Sequence, residues 1–149
     1  MKAITLAASR GSSLLPFTAT RPKPMIPVSG RYLIENSIEL LKAAGVNDFV
    51  VIIGHERHKI TSFFQHGDDH GVNLSYITQE DPHSIGAAVA EARNKVLPGE
   101  YFLLLYGDIL TRGNIFLQTL QSFNSFRGPV AAICLTPSTI LSTPSESSG

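Results

Sequence analysis

Short, nearly continuous apolar runs alternate along this chain with stretches of helical periodicity. The runs are Ala3–Ala8, Phe49–Gly54, Val72–Ile77, Tyr101–Tyr106 and Val130–Leu135. Within them VVII and FLLLY lack the polar alternation of a half-solvated strand, so they read as parallel strands covered on both faces. Four amphipathic segments lie between. Leu33–Ala44 places Leu33, Ser37, Leu40 and Ala44 on one face with Ile34, Ile38 and Leu41 beside it, and Gly45 follows where a left-handed cap costs glycine little. Glu56–Gln65 gathers Ile60, Phe63 and Phe64, Ile85–Val96 gathers Ile85, Ala88, Val89, Ala92 and Val96, and Asn114–Phe126 gathers Phe116, Leu117, Leu120 and Phe123.

Strand–helix alternation of this kind predicts an α/β fold, a Rossmann-like three-layer α/β/α arrangement around an open, mainly parallel sheet. Ligands in such sheets sit outside the carboxyl ends of the strands. That rule singles out the loops Ala8–Thr20, Gly54–His55, Thr78–Gly86 and Gly107–Leu110. No internal repeat interrupts the pattern. The last fourteen residues, TPSTILSTPSESSG, hold eight Ser or Thr and two Pro and no amphipathic element. The expected organisation is therefore one domain over residues 1–135 and a flexible Ser/Thr/Pro-rich tail over 136–149.

Composition narrows the function classes. The chain has 149 residues, is 43% apolar and has zero formal net charge. Its basic residues are scattered, which argues against nucleic-acid binding. No apolar run approaches the roughly 20 residues of a membrane span. The opening MKAITLAAS has too short an apolar stretch and no basic flank for a secretory signal, so it reads as a strand. One cysteine, Cys134, excludes an internal disulfide and reads as strand core. A cytoplasmic protein is the expectation.

The loops carry the chemistry. Ser9-Arg10-Gly11-Ser12-Ser13 follows the first strand, and small residues there let consecutive amides approach a phosphate. Next comes Arg21-Pro22-Lys23-Pro24-Met25-Ile26-Pro27, whose three prolines stiffen the backbone and suppress helix. A lysine fixed between prolines loses less entropy when it meets a phosphate; the competing reading is a surface turn with a solvated lysine. Asp108, after Gly107 at the end of a buried strand, is a candidate Mg²⁺ ligand or a turn-forming aspartate. Gln79 has the donor and acceptor that suit a nucleobase edge, and Gly86 nearby would let a flat base approach the main chain. His55-Glu56-Arg57-His58 spaces its histidines i, i+3 and reads as a solvated helix start rather than a zinc motif. His66-Gly67-Asp68-Asp69-His70 falls in a helix-to-strand loop away from the crevice.

In this order, with RPKPMIPVSGRYLIENSIELL and LLLYGDIL as the most specific segments, the chain resembles the N-terminal nucleotide-binding part of a sugar-phosphate nucleotidylyltransferase from Met1 to about Leu135. The resemblance implies that Lys23 contacts the substrates' phosphates, that Asp108 holds Mg²⁺, and that Gln79 and Gly86 lie at the base. With Ala7, Ala8, Ser9, Arg10, Gly11, Ser12 and Ser13 they would form the nucleotide site. It implies a nucleoside triphosphate and a sugar 1-phosphate as substrates, with Lys23 and Asp108 catalytic. The family loop typically reads L-A-A-G-x-G-T-R-L-x-P. Here Ser9 stands at the first glycine and Ser13 at the arginine, and Arg10 is a candidate substitute for the lost charge. The family's sugar pocket and second metal-binding aspartate come from sequence beyond Gly149. The alternative reading is a non-catalytic nucleotide-binding or regulatory domain derived from the family, and a third is a plain α/β interaction module. An open sheet edge is an association hazard, so a homo-oligomer is compatible with the sequence.

Overall fold

The computed structural model describes residues 1–79, 84–111 and 113–125. The apolar runs form four strands: β1 Lys2–Ala7, then β4 Asp48–Ile53, β5 Asn73–Thr78 and β6 Phe102–Tyr106. They make one parallel sheet in the order β5-β4-β1-β6. Ile4 stands opposite Val50 on one side and Leu104 on the other. A small antiparallel ribbon, β2 Pro27–Val28 with β3 Arg31–Tyr32, lies outside this sheet. Its strands are too short for a period-two pattern to reveal them.

Among the described residues three helices lie between strands, α1 Leu33–Ala43, α2 Arg57–Phe64 and α3 Ile85–Ala92, and α4 Ile115–Ser125 follows β6. Alternate strand residues point to opposite faces, and two cores result. On one face Ala3, Ala7, Phe49, Val51, Ile53, Leu74 and Leu105 meet Ile34, Ile38 and Leu41 of α1, Ile60 and Phe64 of α2, and Phe116 and Leu120 of α4. On the other, Ile4, Val50 and Ile52 meet Ala88 and Ala92 of α3. The expected α/β/α layering is therefore present, and Gly45 follows α1 with φ +86°.

Several expectations need correction. The third helix ends at Ala92, and Arg93–Lys95 continues as a 3₁₀ turn. Lys23–Met25 is also a 3₁₀ turn despite its prolines, because Pro22 is an extended cap and Pro24 sits in the first positions, where its missing N–H costs nothing. Phe63 is 42% exposed. A two-turn helix buries one stripe, here Ile60 and Phe64, and Phe63 instead packs edge-on against Tyr32 with ring centroids 4.9 Å apart. β6 is not covered on both faces by the described residues: Phe102, Leu104 and Tyr106 stay exposed while Leu105 is buried. The reason is that α3 packs over β1 and β4 and stops short of β6. The anticipated strand Val130–Leu135, Cys134 and the tail lie outside the described residues.

Candidate functional site

The carboxyl ends of β1 and β6 are side by side because the two strands pair directly. The Gly107 amide extends that ladder by donating to Leu6 O at 2.8 Å. A β-carbon at Gly107 would stand 3.2 Å from both Leu6 O and the Thr5 methyl, so the glycine lets the loop after β6 lie flat against β1. Asp108 is thereby delivered beside the loop that leaves β1. The hydroxyl of Ser37, buried in α1, reaches Ile109 O at 3.4 Å and ties the same loop to the helix layer.

Opposite Asp108 stands Lys23. Its Nζ lies 2.5 Å from Asp108 Oδ2, and the two side chains are 32% and 17% exposed. The pair is therefore reachable from solvent yet held. The 3₁₀ turn fixes the lysine's main chain through Met25 N–H to Pro22 O at 2.9 Å and Ile26 N–H to Lys23 O at 3.1 Å.

The loop Ser9–Ser13 leans on this lysine. Gly11 has φ +66°, and a β-carbon there would meet Lys23 Cβ at 2.8 Å and Thr18 Cγ2 at 3.1 Å. Ser9, Arg10, Ser12 and Ser13 are exposed, Gly11 is half-buried, and Ala7 and Ala8 are buried in the strand and its last step. Among the described residues none of the amides from Ser9 to Ser13 donates to a main-chain acceptor. Exposed small residues with uncommitted amides around a left-handed glycine have the form of an anion-binding nest.

Gln79 and Gly86 are brought together at the other side of the sheet, beyond β5. The Gln79 amide N–H donates to Ile53 O at 2.8 Å, its side chain is buried, and Nε2 donates to Ser84 O at 3.0 Å. That donor is therefore committed to the protein. Ser84 caps α3, its Oγ accepting from Ala87 N–H at 3.1 Å. Gly86 is exposed in the first turn, and among the described residues a β-carbon there would meet only Ser84 Oγ, at 3.8 Å. The space above it is open to a flat ligand. Three inter-strand spacings separate β5 from β6, so the two clusters are roughly 14 Å apart.

Two features have no signal in the sequence pattern. Thr18 is buried and hydrogen-bonded to the loop, with no periodicity to mark it. His55, expected to be solvated, has its Nε2 buried with no hydrogen-bond partner among the described residues. A β-carbon on the preceding Gly54 would stand 2.8 Å from Ala8 O, a close approach that holds the histidine down at the end of β4. His58 pairs with Glu56 at 3.5 Å, as a helix start would. His70 stacks on Phe64 at the opposite end of the sheet from Asp108. No group of three or more His, Cys, Asp or Glu converges among the described residues. No described helix is long and apolar enough to cross a membrane.

Comparisons with known proteins place the chain among relatives. The nucleotidyl transferase family model matches residues 2–140. The low-salt glycan biosynthesis nucleotidyltransferase Agl11 of Haloferax volcanii is 35% identical over 84% of this chain and 35% of its own length. The UTP–glucose-1-phosphate uridylyltransferase of Synechocystis is 32% identical over 89% of this chain and 36% of its own. A Bacillus anthracis protein assigned as a glucose-1-phosphate thymidylyltransferase and solved with sucrose superposes with a TM-score of 0.76 at 27% identity, covering 83% of this chain and 50% of that one. The chain thus spans about a third of the length of these curated relatives. With a matching family model across nearly its whole length and relatives above 30% identity, the chain belongs to the sugar-phosphate nucleotidyltransferase family.

Proposed function

We propose that this chain binds a nucleoside triphosphate across the carboxyl ends of β5, β4, β1 and β6, as the nucleotide-binding part of an enzyme that transfers the nucleotidyl group to a sugar 1-phosphate. The observation that carries this reading is the Lys23–Asp108 pair, held 2.5 Å apart against the open-amide loop at Gly11. Phosphates would lie on the amides of Ser9–Ser13 and on Lys23, and the base would lie over Gly86 beside Gln79.

In the reaction a phosphate oxygen of the sugar phosphate attacks the α-phosphorus, the bond to the bridging β-phosphate oxygen breaks, and pyrophosphate leaves with the electron pair. The attacking oxygen is already anionic at neutral pH, so no general base is required. What the protein must do is neutralise charge and align the two anions. Lys23, pinned between prolines, is suited to both tasks.

Asp108 fits Mg²⁺, a hard cation that takes one or two carboxylates together with substrate phosphates. Its carboxylate is partly exposed at the mouth of the crevice, and it would hold the ion together with the oxygens of a bound triphosphate. The metal would supply charge neutralisation on the phosphates when bound.

The test is pyrophosphate release from a panel of nucleoside triphosphates and sugar 1-phosphates with MgCl₂. Turnover lost in Lys23→Ala and Asp108→Ala supports the reading; equal triphosphate binding by both variants and the parent chain overturns the site. One observation favours a second reading, a domain that binds nucleotide without catalysis: Ser13, an exposed serine, occupies the place of the family's phosphate-binding arginine. Saturable Mg²⁺-dependent triphosphate binding without turnover would identify it.

A further inference from the structure

Residues 9 to 20 run along the surface, and of these Thr18 alone is buried, at 1% exposure. A threonine buried alone within an exposed segment needs a reason, and its contacts supply one. Its hydroxyl donates to Gly11 O at 2.8 Å. Its methyl lies 3.1 Å from where a Gly11 β-carbon would be, and Lys23 Cβ flanks the same point at 2.8 Å. The loop, the lysine and Thr18 therefore meet at one position.

The consequence follows from peptide planarity. In a trans peptide the carbonyl of one residue and the N–H of the next point in opposite directions. Gly11 O accepts from Thr18 Oγ1 and from Leu14 N–H, at 2.8 and 2.9 Å, so both lone-pair directions are used and the carbonyl is fixed inward. The Ser12 N–H is thereby turned outward, away from Thr18, on an exposed residue. Without the hydroxyl, one of the two anchors on that peptide plane is gone, and the plane can rotate its carbonyl toward an arriving phosphate, which would repel it.

We infer that Thr18 is a positioning residue for phosphate binding: its hydroxyl locks the Gly11–Ser12 peptide with the amide presented outward. This rests on the proposed triphosphate site but adds to it a residue that touches no substrate. Leu14 N–H still satisfies Gly11 O when the hydroxyl is absent, so the role is separable from folding.

The experiment uses inorganic tripolyphosphate, which reports the phosphate site without depending on the base, titrated calorimetrically into the chain and into Thr18→Val, Thr18→Ser and Lys23→Ala. Thr18→Val keeps the volume and loses the hydroxyl; it is expected to weaken binding about tenfold, the loss of one well-placed hydrogen bond. Thr18→Ser is expected to restore binding to within about threefold, which a purely space-filling role would not produce. Parental affinity in Thr18→Val alongside lost affinity in Lys23→Ala overturns the positioning role and leaves the site intact. Parental affinity in both, or a parent chain that ignores tripolyphosphate, overturns the site and this role with it. Should Thr18→Val fail to fold, the amide resonances of the parent protein decide: Ser12 N–H must shift on adding tripolyphosphate, and an unmoved Ser12 resonance refutes the inference.

Discussion

Replacing Gly11 by alanine should injure the loop in two separable ways. At φ +66° a side chain is disfavoured by about 1–2 kcal/mol. The added carbon would also stand 2.8 Å from Lys23 Cβ and 3.1 Å from Thr18 Cγ2. Carbon atoms rest near 3.5–4.0 Å, so something must retreat by roughly 0.7–1.2 Å. Lys23 Cβ cannot give easily, being bonded to main chain that two prolines and the Met25–Pro22 hydrogen bond hold in place. The loop moves instead, at a further cost of about 1–3 kcal/mol.

Gly30→Ala isolates the first term. Gly30 has φ +83° and no described residue within 4 Å of where a β-carbon would stand, so its substitution carries the backbone cost alone. Urea denaturation should find Gly11→Ala destabilised by about 2–5 kcal/mol and Gly30→Ala by about 1–2 kcal/mol. Triphosphate binding should fall steeply in Gly11→Ala, since a displacement near 1 Å costs on the order of a hundredfold in well-aligned sites, and stay unchanged in Gly30→Ala. Equal destabilisation of the two variants with binding intact in both would refute the contact between loop and lysine.

The Lys23 ammonium occupies the carboxylate that a cation would use, so Lys23→Ala should bind Mn²⁺ alone about two- to fivefold more tightly than the parent, the equivalent of a partly exposed ion pair; paramagnetic broadening near Asp108 measures it, and unchanged affinity would show that the pair does not compete. Asn114→Ala removes both the cap of α4, through Leu117 N–H to Oδ1 at 2.9 Å, and the bond from Nδ2 to Leu40 O at 2.7 Å, and should cost about 1–2 kcal/mol in chemical denaturation. Burial raises the Tyr76 phenol from 10.0 to about 12, and its hydroxyl donates to Gln65 O at 2.7 Å. A raised pKa means that the folded state holds the proton more tightly, so this stabilisation is whole below pH 10 and drains away as pH rises from 10 to 12. Denaturation midpoints compared between about pH 9 and about pH 11.5 should therefore drop more in the parent than in Tyr76→Phe.

Much of this architecture is legible in the residues themselves. VVII and FLLLY signal parallel strands because nothing in them asks for solvent, and Leu33–Ala43 shows its buried stripe within one residue of its observed end. The exposed row on β6 is not legible, because it depends on which strands α3 happens to cover. The same holds at the site. A lysine between prolines and an aspartate after a buried strand can each be marked as facing a crevice, but their pairing needs the β1–β6 register, which no local pattern encodes. Thr18 is hidden more completely, since its meaning resides in one carbonyl seven residues earlier. Gln79 stands out in the sequence for its two-sided amide, yet half of that amide is already used on Ser84.

The strand order has a temporal consequence. β1 precedes β4 and β6 in the chain yet lies between them in the sheet, so it waits for partners that arrive much later. Contacts of such long range make folding slow, and the one of longest range among the described strands, β6 on β1, is the one that carries Asp108 to Lys23. The charged pair therefore depends on β6 having paired with β1. A ligand gripping it selects finished molecules from unfinished ones and draws the population toward them by mass action, so for this protein the supply of ligand would act on the yield of folded chains.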